Sequence, residues 1–129
     1  YLELAETLTP TGTLVPVEAI GFGADRYRRI GQTRFNHCFL NVVRDRAGFC
    51  TIPLRNPHTG QTVLVEMDGS FTSFVLYTGD AIQHAPRRAL AIEPMTCASD
   101  AFNHPEWGLK RLLPGEALSG VYHISASGI

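Results

Sequence analysis

Thr62-Val63-Leu64-Val65-Glu66-Met67-Asp68-Gly69-Ser70-Phe71-Thr72-Ser73-Phe74-Val75-Leu76-Tyr77 sets two apolar, β-branched runs on either side of an Asp-Gly pair. Residues of this kind fit a pleated, half-buried surface, and Asp-Gly is a strong local signal for a tight turn, so the stretch predicts a β-hairpin. Similar short runs recur at Leu2 to Leu8, Thr13 to Val17, Asn36 to Val43, Cys50 to Leu54, Ala89 to Glu93 and Gly120 to Ile124. Breakers separate them: Pro10-Thr11-Gly12, Asp45 to Gly48, Asn56-Pro57-His58-Thr59-Gly60, Gly79-Asp80 and Pro114-Gly115. Eight short strands spaced by turn residues predict an all-β, antiparallel β-sandwich. No stretch shows a helical period with both caps, although Pro105 to Leu113 has room for one turn. Neither an internal repeat nor a linker divides the chain.

Composition narrows the function. The chain has 129 residues, 44% hydrophobic and 18% charged, which excludes an intrinsically disordered chain and fits a single unit. Eleven Lys plus Arg against 12 Asp plus Glu leave a net charge of -1, without the basic excess that phosphate backbones require, so no nucleic-acid partner is expected. No apolar run approaches the roughly 20 residues that span a bilayer, and Tyr1 to Glu6 lacks the basic and apolar regions of a signal peptide, so no membrane association is expected. Cys38, Cys50 and Cys97 are odd in number and far apart, which argues against a disulfide framework. With no Asn-x-Ser/Thr sequon, this fits a reducing, cytoplasmic location. Cys97, Asp100 and His104 have a spacing that metal ligands can use, but paired Cys or His elements are missing and no metal is expected.

Two further patches are read as structural. Arg26, Arg28, Arg29 and Arg34 surround Tyr27 and Phe35, and are taken as a solvated loop ahead of a strand. Gly21-Phe22-Gly23 lacks the rest of a phosphate loop and reads as a turn. There is no Gly-x-Ser-x-Gly elbow to anchor serine-hydrolase chemistry.

The segment from Arg87 to Asn103 carries chemistry. Alternation sets Leu90 and Ile92 on one side and Ala89, Ala91 and Glu93 on the other. The carboxylate therefore shares its face with two small residues, which clear space for a flat ligand such as a sugar ring. Pro94 is expected to hold Glu93 extended and to stop the strand. In such surroundings Glu93 is expected to lose hydration, which raises a carboxyl pKa from about 4.3 toward the range of a general base. The competing reading pairs Glu93 with Arg87 or Arg88.

A strand ending in Glu93-Pro94, followed by a loop ending in Asp100-Ala101-Phe102-Asn103, resembles the C-terminal active-site segment of the aldose 1-epimerase (galactose mutarotase) family. Leu76-Tyr77-Thr78-Gly79-Asp80 resembles its Tyr-Thr-Gly strand end. Asn36-His37-Cys38-Phe39 resembles its Asp-His-x-Phe element, and Leu113-Pro114-Gly115-Glu116 its closing Pro-Gly-Glu turn. The four pieces lie in the family's order and cover nearly the whole chain. The resemblance implies that the sandwich is part of a galactose-mutarotase-like β-supersandwich that interconverts the α and β anomers of a free aldohexose without a cofactor. Glu93 falls on the family's general base, and Asn36, Tyr77 and Val75 fall on substrate-binding positions.

Two of these positions depart from the family. Asn36 stands where a binding Asp is usual, and Val75 where a Gln is usual, which weakens two sugar contacts. His37 is read as structural, and His58, His84, His104 and His123 as surface residues. The family's general-acid His belongs to an N-terminal portion, and nothing before Leu8 can hold it. Together with a start at Tyr1, already in an alternating pattern, this leads to the expectation that residues 1–129 are the C-terminal portion of the domain, partnered by the N-terminal portion of the same fold. The alternative is a catalytically silent, carbohydrate-binding or regulatory member of the family.

Overall fold

A computed structural model describes residues 1–23 and 27–128. It contains eight strands: β1 (Leu2–Leu4), β2 (Pro10–Leu14), β3 (Asn36–Phe39), β4 (Cys50–Arg55), β5 (Thr62–Met67), β6 (Ser73–Tyr77), β7 (Ala91–Met95) and β8 (Tyr122–Ser127). They form three antiparallel sheets, ordered β1-β2, β3-β6-β7 and β4-β5-β8. Two short 3-10 turns, Val17–Ile20 and Pro105–Trp107, complete the regular structure among the described residues. The all-β expectation holds, and all eight expected strands are present, Thr62–Met67 with the expected bounds and the others with shifted ends. Val17, expected to end a strand, instead begins the first 3-10 turn.

The hairpin expected across Asp68-Gly69 does not form. β5 pairs with β4 and β8, whereas β6 pairs with β3 and β7, so the chain crosses from one sheet to another at this point. Long-range partners explain the crossing. Asp68 exchanges backbone contact with Val121, its N–H donating to the Val121 carbonyl at 3.0 Å, and its carboxylate accepts the Val121 N–H at 2.8 Å. The other carboxylate oxygen accepts the Ser70 N–H at 2.9 Å. The Arg44 guanidinium donates to the carbonyls of Gly48, Met67, Asp68 and Phe71. Gly69 does not adopt the positive φ that a two-residue type I′ turn demands. The place beside β5 thus goes to β8.

The true hairpin joins β4 and β5 through Asn56 to Gly60, where the Asn56 N–H donates to the Gln61 carbonyl at 2.8 Å. Its register places Cys50, Ile52 and Leu54 opposite Met67, Val65 and Val63 on one apolar face. β8 extends that face with Tyr122, Ile124 and Ala126, yet all six of its residues are exposed.

One face of β3-β6-β7 forms the aromatic core. Phe35, Phe39 and Leu76 are buried there, with Tyr1, Val17, Ile20, Phe22, Ile30, Phe74 and Ile92 packed around them. The Phe39 and Phe74 rings stack at 4.9 Å. Burying each large side chain contributes about 1.5–3 kcal/mol. Arg28, expected in a solvated loop, lies instead over the Phe22 and Phe35 rings at 5.8 and 5.1 Å and donates to Thr33 Oγ1. A cation over an aromatic face is attracted by the ring quadrupole, which turns this arginine inward. Arg26 lies outside the described residues. A cleft of about 550 Å³ separates this core face from Ile52 and Leu54 of β4.

Pro94 corrects a second expectation. It does not stop the strand but sits within β7, opposite Phe74. β7 is an edge strand, where proline's missing N–H leaves no ladder bond unmade.

Candidate functional site

The register of β3-β6-β7 brings the four candidate residues together. Asn36 faces Tyr77 across the β3–β6 ladder, and Val75 faces Glu93 across the β6–β7 ladder. Side chains two residues apart share a face, so Asn36, Tyr77, Val75 and Glu93 stand on one side of the sheet. Facing residues are roughly 5 Å apart. Ala91, opposite Tyr77, keeps the corner between Tyr77 and Glu93 low. His37, Phe39, Phe74, Leu76 and Ile92 occupy the other side, toward the aromatic core.

Glu93 is exposed, so the loss of hydration expected for it does not occur in this chain. The physical reason is its place on an edge strand, with water on the outer side. The Arg pairing weighed against it is also absent. Among the described residues Arg87 bonds Asp80 instead, and Arg88 has no ion pair. Asn36 is exposed, and its backbone N–H donates to His37 Nδ1 at 3.1 Å. Burial pushes the His37 imidazole below its ordinary value, as Tyr1 meets it edge-on at 4.8 Å. The Tyr77 hydroxyl accepts the Ala81 N–H at 3.1 Å, which fixes the phenol at the sheet end. Val75 is half-buried and packs with Leu40 and Trp107 against a small cluster of Leu2, Cys38 and Ala98.

Sequence reasoning missed the polar network beside these residues. Thr78 is buried; its hydroxyl accepts the Phe35 N–H at 3.0 Å and donates to Asp80. Arg87 donates to the other Asp80 oxygen at 2.7 Å, to the Gly31 carbonyl at 2.8 Å and to the Thr33 carbonyl at 3.1 Å. The Thr78 hydroxyl and then the Arg87 guanidinium hold the Asp80 carboxyl below its usual range. The available signal was an Asp and an Arg flanking the link between two sheet-forming runs.

The loops quoted for their chemistry are structured locally. Asn103 Nδ2 donates to the Asp100 carboxylate at 2.6 Å, and Asp100 adopts a φ of 65°. Leu113-Pro114-Gly115-Glu116 is a type II turn: the Glu116 N–H donates to the Leu113 carbonyl at 3.0 Å and Gly115 has a φ of 89°. The Glu116 carboxylate also accepts the Leu113 N–H at 2.8 Å. His104 stacks on Trp107 at 3.9 Å and its ring contacts Glu106, while its backbone N–H donates to the Asp100 carbonyl at 3.1 Å. Among the described residues no three His, Cys, Asp or Glu side chains form a metal-binding group, and no helix is long and apolar enough to cross a membrane.

A family model described as aldose 1-epimerase matches residues 1–125. No curated protein and no solved structure matches the chain.

Proposed function

The chain belongs to the aldose 1-epimerase family, and from that premise we propose that it supplies the general base and part of the sugar platform of an enzyme interconverting the anomers of a free aldohexose. The observation that carries this reading is the shared face on which the paired registers set Asn36, Tyr77, Val75 and Glu93. Glu93 takes the proton of the anomeric O1 hydroxyl. The O1–H electrons form the C1=O1 bond, the C1–ring-oxygen bond breaks, and an acid protonates the ring oxygen. Rotation about C1–C2 and the reverse sequence then give the other anomer. Each positioned acid or base contributes on the order of 10² to 10⁴ in rate, enough for a reaction that also proceeds in water.

The acid belongs to another part of the fold in this reading. His37 is the single histidine in β3, β6 and β7, and it lies on the opposite side of the sheet from Glu93. We therefore place a general-acid His on an N-terminal portion of the same domain, with residues 1–129 as its C-terminal portion. The uncovered apolar stripe Tyr122, Ile124 and Ala126 supports that placement, because a completed sandwich covers such a face.

A second reading, sugar binding without catalysis, is favoured by Val75 opposite Glu93, where a side chain without hydrogen-bonding atoms flanks the base. Polarimetry separates the two. With the protein expressed from its whole coding sequence, glucose or galactose mutarotation is expected to exceed the buffer rate and to fall about 10²-fold or more in Glu93→Gln. A wild-type rate equal to buffer, with sugar-induced NMR shifts retained, selects the silent reading. Absence of both sinks the sugar site.

A further inference from the structure

The link from β6 to β7, residues 78–90, ties together the ends of all three strands that carry the candidate site. Thr78 directly follows Tyr77, and its N–H donates to the carbonyl of Phe35, the residue before Asn36, at 3.0 Å. The Thr78 hydroxyl accepts the Phe35 N–H in return, and its proton goes to Asp80. On the other side of Asp80 is Arg87, just ahead of β7.

Arg87 is held in an uncommon shape. Its φ is 58°, in the left-handed region that side chains with a Cβ rarely adopt. Such a conformation persists only where its surroundings over-determine it. They do so here: the Arg87 N–H donates to the Gly79 carbonyl at 3.2 Å, and its guanidinium is fixed by Asp80, Gly31 and Thr33. Gly79 itself has a φ of 69°, and a Cβ there would come within 3.2 Å of Ile82 and 3.5 Å of the Ala89 carbonyl. The backbone at the end of β6 therefore presses directly on the lead into β7.

We infer that Asp80 is a positioning residue for the site: through Thr78 and Arg87 it sets the relative placement of Asn36, Tyr77 and Glu93. The inference rests on the sugar-site reading of those three residues. Glu93 gains no side-chain anchor of its own among the ion pairs of the described residues, so its place depends on the backbone of an edge strand. That strand has the β6 ladder along one side and the Arg87 contacts at its entry. Asp80 touches no substrate in this arrangement; it acts through its neighbours.

The test uses the protein expressed from its whole coding sequence, with Asp80→Ala, Asp80→Asn and Arg87→Lys variants. Val65→Ala serves as a control for simple destabilisation, since Val65 is buried in the other three-stranded sheet. Mutarotation kinetics, sugar titrations and the NMR shifts of the Asn36 side-chain amide and the Glu93 backbone amide are read together. Misplacement of a binding group by about 1 Å costs up to 10²-fold, so kcat/KM is expected to fall roughly 10- to 100-fold in Asp80→Ala, chiefly through KM. Asp80→Asn keeps an acceptor oxygen for only one of Thr78 and Arg87, which bond different carboxylate oxygens, and is expected to recover only part of the loss. Val65→Ala is expected to lower the melting temperature while leaving KM and the Asn36 signal in place.

If Asp80→Ala behaves like Val65→Ala, with a lowered Tm but unmoved KM and shifts, the inference is overturned while the sugar site stands. If Asp80→Ala does not fold, unchanged KM in both Asp80→Asn and Arg87→Lys overturns it as well, and a raised KM in Arg87→Lys supports it. If the wild-type protein neither binds sugar nor exceeds the buffer rate, the site reading fails first and the positioning role falls with it.

Discussion

Val75 and Glu93 are directly opposed across the β6–β7 ladder, so the proposed base has a branched hydrocarbon as its nearest cross-strand neighbour. A hydroxyl lying over this pair meets a carboxylate on one side and no hydrogen-bonding atom on the other. Replacing Val75 by Gln adds both a donor and an acceptor there. One net hydrogen bond is worth about 0.5–1.5 kcal/mol, so Val75→Gln is expected to tighten glucose or galactose binding about 2- to 10-fold in an NMR titration. Unchanged or weaker binding would place the sugar elsewhere.

Glu93 bears its proposed role without structural duties. It is exposed and outside the ion pairs of the described residues. Glu93→Gln is therefore expected to leave stability within about 0.5 kcal/mol in urea unfolding, while its catalytic effect is read separately. A large loss of stability would mean that the carboxylate holds the sheet together.

Asp68 links stability to pH. The N–H groups of Ser70 and then Val121 hold its carboxyl below the ordinary value. A carboxyl with a depressed value in the folded chain contributes stability above its unfolded value of about 3.9, and that contribution is lost as pH falls through the depressed value. Asp80 adds a change of the same sign. Asp68→Asn is expected to lower the urea midpoint at neutral pH and to flatten its decline below pH about 4. Parallel wild-type and variant profiles would refute the assignment.

The edge at β8 makes a solubility prediction. Ile124 is 67% exposed on a strand with no Pro, Lys, Arg, Asp or Glu to guard it. Ile124→Lys is expected to reduce concentration-dependent association of the 129-residue chain in light scattering, with stability within about 0.5 kcal/mol of wild type. Unchanged association would direct attention to another surface.

Strand existence was legible because β-branched and aromatic runs announce themselves locally. Pairing was not. Asp68-Gly69 looks like a hairpin turn until Val121 and Arg44 are brought to it, and neither partner lies within the stretch that carries the turn signal. Alternation gave the side that Glu93 takes and the family resemblance named Asn36, Tyr77 and Val75; that the four share one side of the sheet comes from the register, which depends on pairing between distant strands. The hydration of Glu93 was misjudged because alternation tells which side a residue takes and not whether its strand is central or at an edge. The bond between Asp80 and Arg87 was hidden for a related reason: it depends on a left-handed arginine, a conformation that glycine signals and arginine does not.

The pairing of β5 with β8 also bears on how the molecule is made. Met67 and Tyr122 are partners at opposite ends of a long intervening stretch that itself contributes β6 and β7 to another sheet. During synthesis at about 5–20 residues per second, β4 and β5 emerge as a bare ribbon and must wait seconds for their third strand. Two strands alone are marginal in water, so the apolar side of that ribbon, Ile52, Leu54, Val63 and Val65, is open to chaperones or to neighbouring nascent chains throughout the wait.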